Sequence, residues 1–261
     1  MSVETSRTSG VLRITLSDPE TRNAITGPEM LDGLLDALDD AEKDPDIAVV
    51  VLDAKGPAFS SGGNVKDMAD REGLFAGTPA DMTEAYRETI QQLTRFMATT
   101  DLITIASVNG PAVGAGFDLV LGCDLRYGSR NARFAHTFIE MGIIPGDGGA
   151  WLLPRVVGWQ RATELALTAR FISSAEAEAY GVLLEVVPEE KLDARVREVA
   201  NTIASKPRPA VVLAKRLLRQ SRSMDLDGFL EFSAALQAIA HSTPEHEVAV
   251  ADYVQKLKDR E

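Results

Sequence analysis

"VNGPAVGAGFDLVLGCD", residues 108 to 124, decides how the chain is read. The run that leads into it, "ITIASVNG" at residues 103 to 110, is mostly apolar and predicts a buried strand. A glycine-rich turn follows, and an apolar helix begins near Gly114. Free N–H groups of a helix N-terminus then stand at the carboxyl end of a strand, where anions and developing oxyanions bind. The glycines are spaced G-x-x-x-G-x-G rather than the G-x-G-x-x-G of dinucleotide folds. No acid about 20 positions further on ends a second strand convincingly, so the dinucleotide reading is weak. Small residues at these positions serve close helix packing equally well.

Strands and helices alternate on both sides of this stretch. "VLRITLSD" alternates apolar and polar residues from Val11 to Leu16, as a half-buried strand does. "IAVVVLDA" (47 to 54) reads as a buried strand, and "LLEVVP" (183 to 188) as a short one. A helix is predicted from about Pro28 to Lys43, with Thr26 or Gly27 as its cap and Pro28 in its first turn. A second runs from about Asp81 to Thr99. "SSAEAEAYG" holds a capping box, Ser173 with Glu176, and ends at Gly181. The alternation predicts an α/β core. After Pro188 the chain reads as almost wholly helical, with Thr243 and Pro244 marking one helix start. The predicted division is therefore a core over residues 1–190 that carries the site and a helical region over 191–261. Residues 68 to 82 mix glycine, proline and charge and are the best candidate for a mobile loop.

Two further stretches hold chemistry-bearing residues. "AFSSGGN", Ala58 to Asn64, follows the strand ending near Ala54, and such a turn exposes backbone N–H groups. An ordinary strand-to-helix turn explains it about as well. A nucleophilic Ser60 or Ser61 is disfavoured, because no G-x-S-x-G elbow and no triad context are present. "EMGIIPGDGGAWLLP", 140 to 154, sets Asp147 among three glycines before a short helix that looks interrupted near Pro154. As a simple helix cap Asp147 would be ionised, able to act as a base but a poor proton donor. Asp118, Glu140 and Asp147 all lie near glycines; each alone is more readily structural than catalytic. Asp124 and Arg126 read as a surface or subunit-contact pair, and His136 as an ordinary hydrogen-bonded histidine.

The bulk numbers set outer limits. With 261 residues, 45% hydrophobic and 25% charged, the chain suffices for a sizeable soluble core. Its net charge of −12 argues against nucleic acid and anionic membranes as partners, while leaving room for small anions held by a few local cations. Cys123 is the only cysteine, which excludes an internal disulfide and fits a reducing, cytoplasmic setting. No H-x-x-x-H pair or carboxylate cluster points to a metal. The start lacks a long apolar core and carries Glu4, so neither a signal peptide nor a membrane span is expected.

Taken together, "RNAIT", "AFSSGGNVKDM", "SVNGPAVGAGFDLVLGCDLRYGS", "GIIPGDGGAWLLPRVVG" and "ALTARFISSAEAEAYGVLLEVVP" resemble the crotonase, or enoyl-CoA hydratase/isomerase, superfamily. The resemblance covers nearly the whole chain. It implies an α/β spiral of stacked ββα units, a helical C-terminal region used in trimer formation, and trimers or dimers of trimers. It also implies a coenzyme A thioester substrate and no separate cofactor. By motif position, the oxyanion-hole donors would be the backbone N–H groups of Ser61 and Ala115, each worth roughly 3 kcal/mol to an enolate. Ser60, Gly62, Asn64 and Val65 would line the coenzyme A path. Arg22 and Lys66 would contact its phosphates, with Lys256 reaching in from a neighbouring subunit.

The chain also departs from the pattern. Hydratases of this family typically use two glutamates; here Asp118 stands at the first position and Phe138 at the second, with Glu140 two residues beyond. Shortening Glu to Asp retracts a carboxylate by roughly 1.5 Å. A misplacement of about 1 Å costs on the order of 100-fold in rate, which puts two-glutamate hydration in doubt. Dienoyl-CoA isomerases resemble the chain in carrying aspartates at positions 118 and 147, although they have a glutamate where Phe138 stands. The expected chemistry is hydration of a 2-enoyl-CoA or a shift of its double bond, with Asp147 as main acid/base, Asp118 as its partner and Glu140 in reserve. A carbon–carbon hydrolase or lyase of the same fold, and a non-catalytic acyl-CoA binder, are the other readings.

Overall fold

The structure is a computed structural model that describes residues 2–259. Its strands are β1 (Val3–Thr8), β2 (Val11–Leu16), β3 (Val49–Ala54), β4 (Ile103–Val108), β5 (Pro111–Val113), β6 (Leu125–Ser129), β7 (Arg133–Ala135), β8 (Ile172–Ser173) and β9 (Glu185–Val187). The helices of the first half are α1 (Pro28–Lys43), α2 (Val65–Asp70), α3 (Pro79–Glu88), α4 (Ile90–Thr99) and α5 (Ala115–Gly122). They are followed by α6 (Gly149–Val157), α7 (Trp159–Thr168) and α8 (Ser174–Ala179), then by α9 (Glu189–Ala204), α10 (Arg208–Gln220), α11 (Leu226–His241) and α12 (Pro244–Lys258).

A six-stranded sheet runs in the order β1-β2-β3-β4-β6-β9, parallel except for the β1–β2 hairpin, and a three-stranded sheet pairs β5, β7 and β8. The alternation of side chains along β3 explains the layering. Val50 and Leu52 face the core that holds Leu31, Leu34 and Leu38 of α1. Val49 and Val51 face the opposite core, closed by Leu192, Val196 and Ala200 of α9. A strand buried on both faces must read as a continuous apolar run, and β3 does. Each such valine or leucine contributes roughly 1.5–3 kcal/mol by leaving water.

The predicted helix over 81–99 is two helices. The chain breaks at Thr89 (φ −121°, ψ −102°), whose hydroxyl donates to the Ala85 carbonyl and competes with the backbone ladder. The break lets α4 turn Ile90, Leu93 and Met97 into the core. Residues 68 to 82 are not an irregular loop: they hold the end of α2, a 3-10 turn with Leu74 buried, and a Thr78–Asp81 capping box that starts α3. Helix α6 runs through Pro154 to Val157 rather than stopping at it. Asp124 and Arg126 are not paired with each other. Asp124 accepts from Thr104 N (2.8 Å) and from Lys215 Nζ (2.7 Å), and Arg126 donates to the Val182 and Cys123 carbonyls. Lys215 also donates to Leu102 O, so this buried lysine fastens α10 to the main sheet.

Candidate active site

The loop after β4 and the turn after β3 meet beside the N-terminus of α5. Asn23, buried in a left-handed conformation (φ 56°), anchors the turn through Nδ2–H bonds to Lys55 O and Ala58 O, each 3.0 Å. Gly62 (φ +82°) comes so close to Val113 and Ala115 that an added Cβ would collide with the Val113 carbonyl. The two segments thereby form one wall of a cavity of about 170 Å³, which Ser61, Gly63, Val65 and Ala115 line. Phe75, Tyr86, Ile90, Phe138, Met141 and Ile143 give it an apolar far wall.

The two predicted N–H donors differ in their bonding. Ala115 is the first residue of α5, and its N–H has no acceptor among the described residues. Ser61 N–H donates to Arg22 O at 2.9 Å. Ser60 is not at the cavity: it is fully buried, its hydroxyl donating to Asn23 O (2.7 Å) and accepting from Gly62 N (3.0 Å). Asn64 caps α2 by accepting from Lys66 N at 3.1 Å. Arg22 and Lys66 are exposed on the segments that build this wall, and Lys256 is exposed near the end of α12.

The acids sort themselves by position. Glu140 does not reach the cavity; it is exposed on the 3-10 turn of residues 137 to 141. That turn repeats about every three residues, so Phe138 and Met141 face inward together and Glu140 faces out. Asp147 lies on the cavity wall and is the only carboxylate there among the described residues. It does not cap α6, for Gly148 is the N-cap and no side chain bonds to the helix end. Its backbone carbonyl instead accepts from the Thr94 hydroxyl. Asp118, in the first turn of α5, stands behind Asp147, and the two lie close enough that the charge of one raises the other.

Two neighbouring buried carboxyls do not readily both ionise, so one proton is kept between them. Removal from water pushes Asp118 up to about 7. Burial, reinforced by the neighbouring Asp118 charge, pushes Asp147 up to about 9. Asp118 Oδ2 and Asp147 Oδ1 are sealed from solvent and have no hydrogen-bond partner among the described residues, which leaves them to take that proton. Asp118 Oδ1 is held by His136 Nε2 at 2.6 Å. Burial pushes His136 down to about 4, so its ring is neutral. The expected ionised cap is therefore a protonated acid at neutral pH. His136, read from sequence as an ordinary hydrogen-bonded residue, joins the acid pair; nothing local to it in the sequence signals that contact.

Two expectations follow from the pair. An Ala at Gly149 would drive its Cβ into the Asp118 carboxyl. Gly149→Ala should therefore lower kcat on the order of 100-fold, measured in steady-state assays. Stability should also carry a signature. Both folded values lie above the unfolded aspartate value of about 3.9, so the folded chain keeps protons that the unfolded chain has released. The pair's contribution is fully present below about pH 4 and is lost as pH rises through about 7 and then about 9. Asp147→Asn, which keeps an N–H donor toward Asp118 without a charge, should melt roughly 2–4 °C higher than the parent near pH 9 and close to it at pH 4.

Known proteins agree with this architecture. The sequence model of the family described as Enoyl-CoA hydratase/isomerase matches residues 6–260. The chain belongs to this family. Among enoyl-CoA hydratase/isomerase relatives, a 1,2-epoxyphenylacetyl-CoA isomerase of Escherichia coli K12 is 32% identical, over 95% of this chain and 93% of that one. A 2,3-dehydroadipyl-CoA hydratase of the same organism is 30% identical over 96% and 94%. The crystal structure of an enoyl-CoA hydratase from Bacillus anthracis superposes with a TM-score of 0.90 at 28% identity, covering 98% and 97%. The fold is thus the crotonase fold, with the helical C-terminal region in place. Among the described residues no helix is long and apolar enough to cross a membrane.

Proposed function

We propose that the protein shifts the double bond of an enoyl-CoA thioester through an enolate, with Asp147 carrying the proton. One observation supports this reading over hydration: a single carboxyl faces the cavity, and its partner stands behind it rather than across from it. Adding water calls for one group to activate the water and another to protonate carbon. Moving a double bond calls for one group that takes a proton from one carbon and returns it to another.

In this reading the thioester oxygen lies against Ala115 N–H. Ser61 N–H contributes as a donor shared with Arg22 O. Asp147 takes a proton from the substrate carbon while its own proton passes to Asp118 Oδ2. The negative charge that develops on the thioester oxygen is held by the fixed N–H donor. Proton return along the same route yields the isomer. Ser61, Gly63 and Val65 guide the coenzyme A arm, and the exposed Arg22 and Lys66 meet its phosphates. Exposed Leu226, Leu230, Ile239, Val248 and Tyr253 on α11 and α12 fit the reading that copies assemble through the helical tail.

Product analysis over 2-enoyl-, 3-enoyl- and dienoyl-CoA esters tests the assignment. Isomers of unchanged mass are expected; hydroxyacyl-CoA as the main product would favour the hydratase reading, and cleaved carbon chains the lyase reading. The pH profile is a second check. kcat/KM should rise as the pair loses its first proton near about 7 and fall as it loses the second near about 9.

A further inference from the structure

We propose that His136 is a positioning residue whose Nε2–H bond to Asp118 decides which carboxyl of the pair holds the shared proton. The inference rests on the acid-pair reading above and adds a third member to it. His136 is 1% exposed and Asp118 4%, so water does not compete for the 2.6 Å bond between them. The histidine ring stands between two phenylalanines: Phe117 at 5.2 Å and Phe138 at 5.5 Å, both edge-on. That setting disfavours a charged imidazole. A neutral ring has one N–H, and the 2.6 Å contact to a carboxylate assigns it to Nε2. Nδ1 is left as a buried acceptor with no donor among the described residues.

A buried polar atom without a partner carries a desolvation cost, and this one is tolerated where its ring does something specific. What the ring does is make the two carboxyls unequal. Asp118 has the Gly149 amide, which favours its anion, and on Oδ1 the 2.6 Å contact to His136, which as an Nε2–H donor favours the anion further. Asp147 has its own backbone amide acting the same way, but its Oδ1 has no side-chain donor among the described residues. The proton therefore rests on Asp147, the carboxyl that reaches the substrate, and its charge-bearing partner is kept behind it. Without His136 Asp118 is harder to ionise, and the difference between the two carboxyls narrows.

Phe138 takes part indirectly. It lines the cavity and packs against His136, so it shields the imidazole from solvent at the position where the family resemblance would place a second carboxylate. An acid there would draw a proton onto His136 and remove the asymmetry. The titratable groups facing this cluster are Asp118, Asp147, His136 and, from α3, Tyr86, whose phenol is pushed up by burial and then by the Asp147 charge.

The test is a carboxyl ¹³C NMR titration of the unliganded protein labelled at aspartate, with Asp118→Asn and Asp147→Asn used for assignment. It reads protonation without any substrate, so its outcome is separable from whether the reaction is isomerisation. His136→Phe and His136→Leu remove the donor while filling the space, and His136→Gln keeps an N–H in reach of Asp118. Both donor-less variants should raise the lower pair titration by about one pH unit, a tenfold change in the equilibrium. They should also move the acidic limb of kcat/KM by the same amount, with KM little changed. His136→Gln should leave both near the parent. Titrations unchanged in every variant, or shifted alike in all three, would overturn the proposal, because a merely structural histidine does not distinguish Gln from Phe.

Discussion

Asp147→Asn should reduce kcat by at least about 10³-fold while changing the affinity for a coenzyme A ester by less than about threefold. Positioned acid–base groups contribute on the order of 10²–10⁴ each, and here both proton transfers pass through one carboxyl, so the upper part of that range applies. Binding should survive because the carboxyl is one polar group on a largely apolar far wall, and because asparagine retains a donor toward Asp118. Steady-state assays together with calorimetric titration of the variant separate the two effects. A variant that turns over at the native rate removes Asp147 from the mechanism, and one that fails to bind makes it a binding residue.

The second large effect is expected at Ala115. The claim there concerns a backbone N–H, which side-chain substitution does not touch, and proline deletes it. Position 115 is the first of α5, where a proline removes no intrahelical bond and its fixed φ suits the helix. Ala115→Pro should therefore leave the helix intact and lower kcat by about 10²–10³-fold, the cost of one oxyanion donor. Ala115→Ser, which keeps the N–H, should retain most of the activity. Comparison of the two by circular dichroism and by turnover distinguishes a lost donor from a damaged helix. Equal activities in the two variants would rule out Ala115 N–H as the stabilising donor.

Much of the frame was legible in sequence because it follows from local pattern. Strand β3 is buried on both faces, and its apolar run announced that. Helix α1 begins and ends at the residues marked by Pro28 and Lys43, and the Ser173–Glu176 capping box forms as its spacing requires. Short strands β5, β7 and β8 carry two or three residues each, too few for a period to show. The break at Thr89 was hidden because α3 and α4 share one helical apolar pattern across it.

The site was legible only in part. The glycine spacing around Ala115 pointed to an exposed N–H, and that donor has no acceptor among the described residues. Its glycine neighbours mark Asp147 as the main acid/base candidate, yet the ionised-cap geometry expected with that role does not form, since Gly148 takes the cap and Asp118 supplies a buried neighbour. That neighbour is 29 residues away in sequence and arrives through packing of α5 against α6, which no local period encodes. His136 meets Asp118 for the same reason. Glu140 and Phe138 exchange their expected importance because a 3-10 turn, not an α-helix or strand, fixes which of them faces inward.

Mass spectrometry of the product formed from a 3-enoyl-CoA in deuterated, ¹⁸O-labelled water tests the central claim most directly. One carboxyl carrying one proton predicts a double-bond isomer with no ¹⁸O, containing at most one deuterium and some molecules with none. The undeuterated fraction arises when Asp147 returns the proton it took. Both isomer and label should disappear in Asp147→Asn. A main product that carries ¹⁸O at the β-carbon would show that water is added, and would contradict the account.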